Sequence, residues 1–188
     1  SRCSGHAPPA SPAPAAPTGI EREFGREQII VSKTDLQGRI TYANDVFCQV
    51  SGYAEGELTG APHNVIRHPD MPMAVFQLLW DTITAGQELF AYVVNLASDG
   101  AHYWVFAHVT PSFGPEGRII GYHSNRRWVP PDVRERMAAL YAEVRRAERG
   151  DAPKKARIAA GAAALQRLLD GRTYDEFVWS VAGAEVGR

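Results

Sequence analysis

The residue types with the most chemical potential lie close together in one short segment, HNVIRHPDMP, residues 63–72. Two histidines, one arginine and one aspartate occur there, directly before a predicted helix. Asp70 is suited to be the N-cap of that helix, and Pro72 suits its first turn. A capped loop of this kind would hold Arg67 and His68 in a fixed direction. They could then bind an anionic or polar ligand, with help from the helix dipole.

A metal site made of His63, His68 and Asp70 is the weaker interpretation of the same segment. The two histidines are five residues apart, so a shared metal ion would require the chain between them to bring both rings together. Pro69 and Pro72 make that geometry unfavourable. We therefore predict no metal site here.

The second candidate residue is Asn95, which lies in a predicted strand from Leu89 to Ser98. Side chains alternate along a strand, so Asn95 shares a face with Ala91 and Val93, and we expect this face to meet the short helices. A buried amide needs hydrogen-bond partners. The partner is either a loop carbonyl or a ligand with its own donor and acceptor, which an amide matches well.

Charge and composition argue against several classes of function. The 20 basic and 21 acidic residues give a net charge of −1, so we predict no nucleic-acid partner. No apolar run has the length of a bilayer span, which predicts no direct insertion into a membrane. Cys3 and Cys48 give no disulfide framework, and this predicts a cytoplasmic protein. Serine-nucleophile motifs, phosphate-binding glycine loops and dinucleotide fingerprints do not occur, so we predict that the protein is not an enzyme.

The order of predicted elements supplies a scaffold for these residues. Two short strands precede several short helices, and three longer strands separated by tight turns follow. Close spacing and tight turns favour antiparallel pairing. The sequence therefore predicts an α+β fold, a five-stranded antiparallel sheet with short helices on one face. Such a sheet offers a natural pocket for a small molecule between its covered face and the helices.

The chain divides into three predicted segments. Residues 1–27 begin with a Pro/Ala-rich stretch that cannot bury enough surface to offset its ordering entropy, and we predict a disordered tail. Residues 28–128 contain the five strands. Residues 129–188 carry helical apolar stripes and are predicted to be a helical extension used for output or dimerisation.

Several motifs within about 100 residues resemble the PAS domain family, and within it the aerotaxis-receptor group. The run from Arg67 to Pro72 is the most specific of them. The motifs are Thr34-Asp35-Leu36, Tyr42-Ala43-Asn44-Asp45-Val46-Phe47, Val50-Ser51-Gly52-Tyr53, Leu58-Thr59-Gly60, His63 to Pro72, and Tyr103-Trp104-Val105.

The resemblance implies that residues 28–128 adopt the PAS fold and bind FAD non-covalently. It also implies that the redox state of the flavin reports oxygen or respiratory status to a signalling partner of the chemoreceptor or kinase type, from a homodimer. Carried over by position, the expected cofactor-binding residues are Asn44, His63, Arg67, His68, Asp70, Trp80, Asn95 and Arg126.

Two alternatives stay open at this point. This chain has Leu89 where the family usually has Trp, and Ala91 where it usually has Gly. Both departures favour a ligand-free PAS module for protein interaction or dimerisation. The other alternative is a haem-based gas sensor with His68, or less favourably His63, as the axial ligand.

Overall fold

The structure is a computed structural model that describes residues 15–186, with side chains described through Gly183. Cys3 and the first half of the predicted tail lie outside the described residues. None of the helices in this range combines the length and the hydropathy that a bilayer-spanning segment needs.

The predicted α+β fold is confirmed: five antiparallel strands form one sheet in the spatial order β2-β1-β5-β4-β3. The first two strands thus pair with the last three through β5, although the helices separate them in the chain. The strands are β1 Ile30–Thr34, β2 Ile40–Ala43, β3 Leu89–Leu96, β4 His102–Phe113 and β5 Ile119–Arg127.

Four short helical segments connect β2 to β3, and three longer helices follow β5. The short segments are α1 Asp45–Ser51, α2 Glu55–Leu58, a 3₁₀ helix His63–Ile66 and α3 Met73–Thr84. The C-terminal helices are α4 Pro131–Ala147, α5 Lys154–Leu169 and α6 Tyr174–Val186.

The C-terminal helices α4 and α6 pack on the sheet face opposite the short helices. Trp104 and Tyr141 bring their rings to 6.1 Å between β4 and α4, and Trp179 of α6 lies 4.7 Å from Phe90 of β3. Both faces of the β3–β4 half of the sheet are therefore covered by helices. This explains the nearly continuous apolar character of β3, where alternation with polar residues would mark an exposed face.

The segment before β1 is ordered from at least Thr18. The N–H of Thr18 donates to the carbonyl of Gly100 at 2.9 Å, and the N–H of Arg22 donates to the carbonyl of His102 at 2.7 Å. The described part of the predicted tail, residues 15–27, thus includes backbone that pairs with the start of β4. Composition did not reveal this, because the pairing uses main-chain groups rather than apolar side chains.

The predicted N-cap of α3 is wrong. The helix begins at Met73 after Pro72, and no side chain of the preceding loop caps it. Instead, the carboxylate of Glu148, which follows α4, accepts the N–H groups of Met73 and Ala74 at 2.8 Å each. Asp70 lies too early in the chain to cap this helix, and the actual partner is remote in sequence. The helix dipole is therefore directed at Glu148 rather than at a ligand.

Candidate ligand-binding site

A cavity of about 270 Å³ lies between the inner face of the sheet, the 3₁₀ helix and α3. Its walls are largely apolar, which is typical of small-molecule sites, and its volume is near their lower limit of about 300 Å³. Five of the eight predicted cofactor residues line it, namely His63, Arg67, Trp80, Asn95 and Arg126. Trp80 is 40% exposed, so it marks the solvent side of the cavity.

Arg126 is the most unusual of these residues, because it is a buried cation with no carboxylate partner among residues 15–183. Its side chain is 2% exposed, and Nη2 donates to the Ser32 hydroxyl at 2.8 Å while Nη1 donates to Nε2 of His63 at 3.2 Å. Nε has no hydrogen-bond partner. Burial lowers the pKa of Arg126 to about 10, so the guanidinium stays charged at neutral pH.

A second buried arginine in the same chain shows the ordinary arrangement. Arg134 in α4 is 7% exposed and donates to the carboxylates of Glu21 and Glu23 at 2.7 and 2.5 Å. Buried charges are normally paired in this way, because an unpaired one carries a large desolvation cost. Arg126 thus brings to the cavity a positive charge that no carboxylate among residues 15–183 neutralises.

Asn95 lines the same cavity, as its position in the strand alternation predicts. It is 4% exposed, and its amide Nδ2 makes no hydrogen bond of good geometry among the described residues, although the side chain lies close enough to the Tyr103 hydroxyl to lower the pKa of that group slightly. Its neighbour across the strand pair is Tyr103 on β4, whose pKa burial raises to about 12. Tyr103 is therefore uncharged and cannot neutralise Arg126. No loop carbonyl accepts a hydrogen bond from this Nδ2 group, so the first of the two predicted partners is not observed.

His63 is a neutral acceptor that positions Arg126. Burial, and then the charge of Arg126, lower the pKa of His63 to about 3. Because Nε2 accepts from the guanidinium, the ring proton resides on Nδ1. The Ser32 hydroxyl lies 3.1 Å from the same Nε2 atom, which closes a triangle of three polar side chains.

We predict that His63 makes the protein less stable in mild acid. A group whose folded pKa is depressed stabilises the fold above its unfolded pKa, and this contribution is lost as the pH falls toward the folded value. With about 6.5 unfolded and about 3 folded, the free energy of unfolding should fall by about 2 kcal/mol between about pH 7.5 and about pH 5. His63→Gln keeps an acceptor for Arg126 but does not titrate. Denaturant melts across this range should show a flatter slope for the variant, and an unchanged slope would contradict the assignment.

Arg67 reaches the cavity from the loop after the 3₁₀ helix. Its guanidinium stacks 3.9 Å from the ring centre of Phe76 on α3, and its backbone pairs with Asn95 at the edge of the sheet. Burial lowers the pKa of Arg67, and the carboxylate of Glu148 partly offsets this. Two arginines therefore line the same apolar cavity.

Three of the predicted residues do not line this cavity. The amide of Asn44 is used by the backbone: Oδ1 accepts the N–H groups of Val31 and Phe47 at 3.0 Å each, and Nδ2 donates to the carbonyl of Ile29 at 2.9 Å. Asn44 thus caps α1 and ties it to β1.

His68 and Asp70 face the other side of β3, where they line a separate cavity. The chain turns past the edge of β3 after Arg67, so neighbouring residues of the loop point to opposite sides of the sheet. The predicted common ligand for Arg67 and His68 is therefore not supported. Because His68 does not line the main cavity, it is not placed to be the axial ligand of a haem bound there.

Among the cavity residues that the predicted site did not include, Ser32 and Phe76 contact the two arginines directly. Ser32 holds Arg126, and Phe76 holds Arg67. The alternation of Ile30, Val31 and Ser32 could have predicted the contact of Ser32 with Arg126, because it places the Ser32 hydroxyl on the buried face. Leu89 and Ala91, the departures from the family pattern, are buried but do not line the cavity.

The fold and the cavity together define a class of protein. Residues 40–126 match the family described as PAS fold, and this part of the chain is a PAS domain. The resemblance to the aerotaxis-receptor group is also confirmed. The chain is 50% identical over 97 residues to the aerotaxis receptor of Escherichia coli (strain K12), covering 52% of this chain and 19% of that protein.

Further relatives and solved structures agree with this assignment. The nitrogen fixation regulatory protein of Klebsiella pneumoniae is 30% identical over 99 residues, 53% of this chain and 20% of the relative. The chain thus spans about a fifth of the length of these two relatives. The light-state structure of the blue-light photoreceptor Aureochrome1 LOV has a TM-score of 0.53 at 21% identity, covering 62% of this chain and 91% of the other. A light-oxygen-voltage domain studied with a flavin analogue scores 0.53 at 19% identity, covering 59% of this chain and 83% of that one. At these identities the structures support the fold.

Proposed function

We propose that this PAS domain binds FAD non-covalently in the cavity of Arg126 and Asn95 and reports redox or oxygen status to a signalling partner. One observation carries the proposal: the buried polar side chains of Asn95 and Arg126, neither of them paired with a carboxylate among the described residues, line a largely apolar cavity. A flat conjugated ring with hydrogen-bonding edges complements such a site. The likeness to the aerotaxis receptor supports a redox role.

The size of the cavity limits how the ligand fits. A volume of about 270 Å³ suits a ring system rather than an entire dinucleotide, so the remainder of FAD would extend past the solvent side at Trp80. Arg67 lines the same cavity and offers a cation for the anionic part of the ligand. Arg126, held by His63, would contact the ring system.

A bound flavin supplies reversible electron transfer together with proton changes at its ring edge. The residues of this chain bind and orient that edge. Asn95 can present its Nδ2 donor or its Oδ1 acceptor, according to the rotation of its amide. Arg126 supplies a fixed positive charge, and neutral His63 keeps the guanidinium in place.

The route from the cavity to a partner runs through β3. Three residues before Asn95, the carbonyl of Tyr92 accepts the hydroxyl of Tyr141 on α4 at 2.6 Å. The Tyr141 and Tyr174 hydroxyls lie 2.7 Å apart, which links α4 to α6. A change at Asn95 therefore reaches two C-terminal helices through one strand. We propose these helices as the output to a chemoreceptor- or kinase-type partner in the cytoplasm, within a homodimer.

A visible spectrum of the protein purified without added cofactor tests the proposal. We expect a flavin spectrum, or its recovery on adding FAD, with one flavin bound per chain. Parallel titrations with FAD and FMN identify the preferred form, and tighter binding of FMN would overturn the FAD assignment. A colourless protein that takes up neither flavin would overturn the proposal and favour the ligand-free module. A Soret band would favour haem.

A further inference from the structure

A second cavity of about 260 Å³ lies on the opposite side of β3, between the loop of His68, the start of β4 and α4. Val94 faces it, whereas its neighbours Val93 and Asn95 face the first cavity. The strand therefore separates the two spaces. We propose that this second cavity is a binding site for a small organic carboxylate.

His68 provides a hydrogen-bond donor to this cavity. The residue is only 5% exposed, and its Nδ1 accepts the N–H of Asp70 at 2.9 Å. Burial lowers the pKa of His68, so the ring is neutral and its proton resides on Nε2. This Nε2–H group has no partner among the described residues. Since Nε2 keeps some solvent access, it can donate to an acceptor of a ligand in the cavity.

Arg145 of α4 provides the positive charge. Its Nη1 lies 3.2 Å from the carboxylate of Asp70, and its Nε has no partner in the described part of the chain. A guanidinium has five N–H donors, so one carboxylate leaves room for another. His102 adds a second imidazole, with its ring 6.0 Å from that of His68.

The remaining walls determine which anion fits. Val94, Trp104, Ala138 and Tyr141 form an apolar side. Asp70 and Arg145 cancel in formal charge, so the cavity has no net positive charge to hold a phosphate dianion. A ligand with a single carboxylate and an apolar body instead matches the guanidinium donors and the apolar wall. The cavity volume suits a compact molecule. A carboxylate here would contact both the PAS core and α4, and would thus stabilise the contact between them.

Benzoate and its neutral analogue benzyl alcohol test this site on the full chain, by melting temperature and tryptophan fluorescence. We expect saturable stabilisation by benzoate and a much weaker effect of benzyl alcohol. Arg145→Gln should weaken benzoate binding by about tenfold to a hundredfold, and His68→Asn, which keeps an acceptor for the N–H of Asp70, should weaken it similarly. Arg146→Gln changes the same charge on the exposed side of α4 and should have no effect.

Two further variants separate binding from structural effects. Asp70→Asn breaks the ion pair but frees the guanidinium, so benzoate should bind at least as tightly as to the wild type. If the Asp70–Arg145 ion pair only stabilises the fold, Asp70→Asn and Arg145→Gln should instead weaken benzoate binding to the same extent. Equal effects of benzoate and benzyl alcohol, or stabilisation by inorganic phosphate alone, would overturn the carboxylate site.

Discussion

Asn95→Ala is expected to weaken flavin binding by about 30-fold to 10,000-fold while leaving the flavin-free fold intact. The substitution removes the donor and acceptor that we propose face the ring edge. Two polar groups of the ligand would then be left without partners in a dry cavity, at a cost of about 1–3 kcal/mol each. Because the Nδ2 group of Asn95 makes no hydrogen bond of good geometry and only a weak contact with the Tyr103 hydroxyl is lost, the melting temperature without flavin should change little.

Asn125→Ala is the matched control for this prediction. Asn125 lies between Ser124 and Arg126 on β5. Both neighbours line the cavity, whereas Asn125 does not. The control therefore removes the same amide from the other face of the sheet, and it should keep wild-type flavin affinity. Flavin titrations of both variants, with melting temperatures in the absence of flavin, separate the effects. Full affinity in Asn95→Ala would show that this residue does not hold the cofactor.

The strands of the fold could be predicted from the sequence because neighbouring residues along the chain contain the patterns that specify them. Alternation in Leu89 to Ser98 and the turn at Asp99-Gly100 indicate a hairpin, and the structure forms it between β3 and β4. The same alternation placed Asn95 on the cavity side. Local periodicity sufficed here, because a strand with one face toward a cavity fixes the direction of every side chain.

The parts of the site that sequence reasoning missed depend on contacts between distant residues. Asp70 had a suitable type and position for capping α3, yet Glu148 does so from the end of α4. Arg67 and His68 are adjacent, yet they face different cavities because the chain turns at the edge of β3. Asn44 matched the family pattern, but its amide is fully used by backbone groups. Residue type and spacing do not encode these choices.

Glu148→Ala should lower the free energy of unfolding by about 2–4 kcal/mol. The carboxylate is 5% exposed and accepts two N–H groups at the start of α3. Without it these two donors stay unsatisfied, at a cost of about 1–2 kcal/mol each. The melting temperature should fall by roughly 4–16 °C. Glu148→Gln keeps one acceptor oxygen and should lose less, whereas Glu143→Ala, on the exposed surface of α4, should change little.

Gly161 on α5 provides an independent test of the same contact. A methyl group at this position would overlap the carboxylate of Glu148, whereas one at Gly183 on α6 meets open space. Replacing glycine by alanine inside a helix ordinarily stabilises it by about 1 kcal/mol, and Gly183→Ala should follow that rule. Gly161→Ala should destabilise the protein instead, because it forces Glu148 away from α3. In the Glu148→Ala background the sign should reverse, since no carboxylate remains to displace. Equal stabilisation by the two glycine replacements in the wild-type background would show that α5 does not hold Glu148 in place.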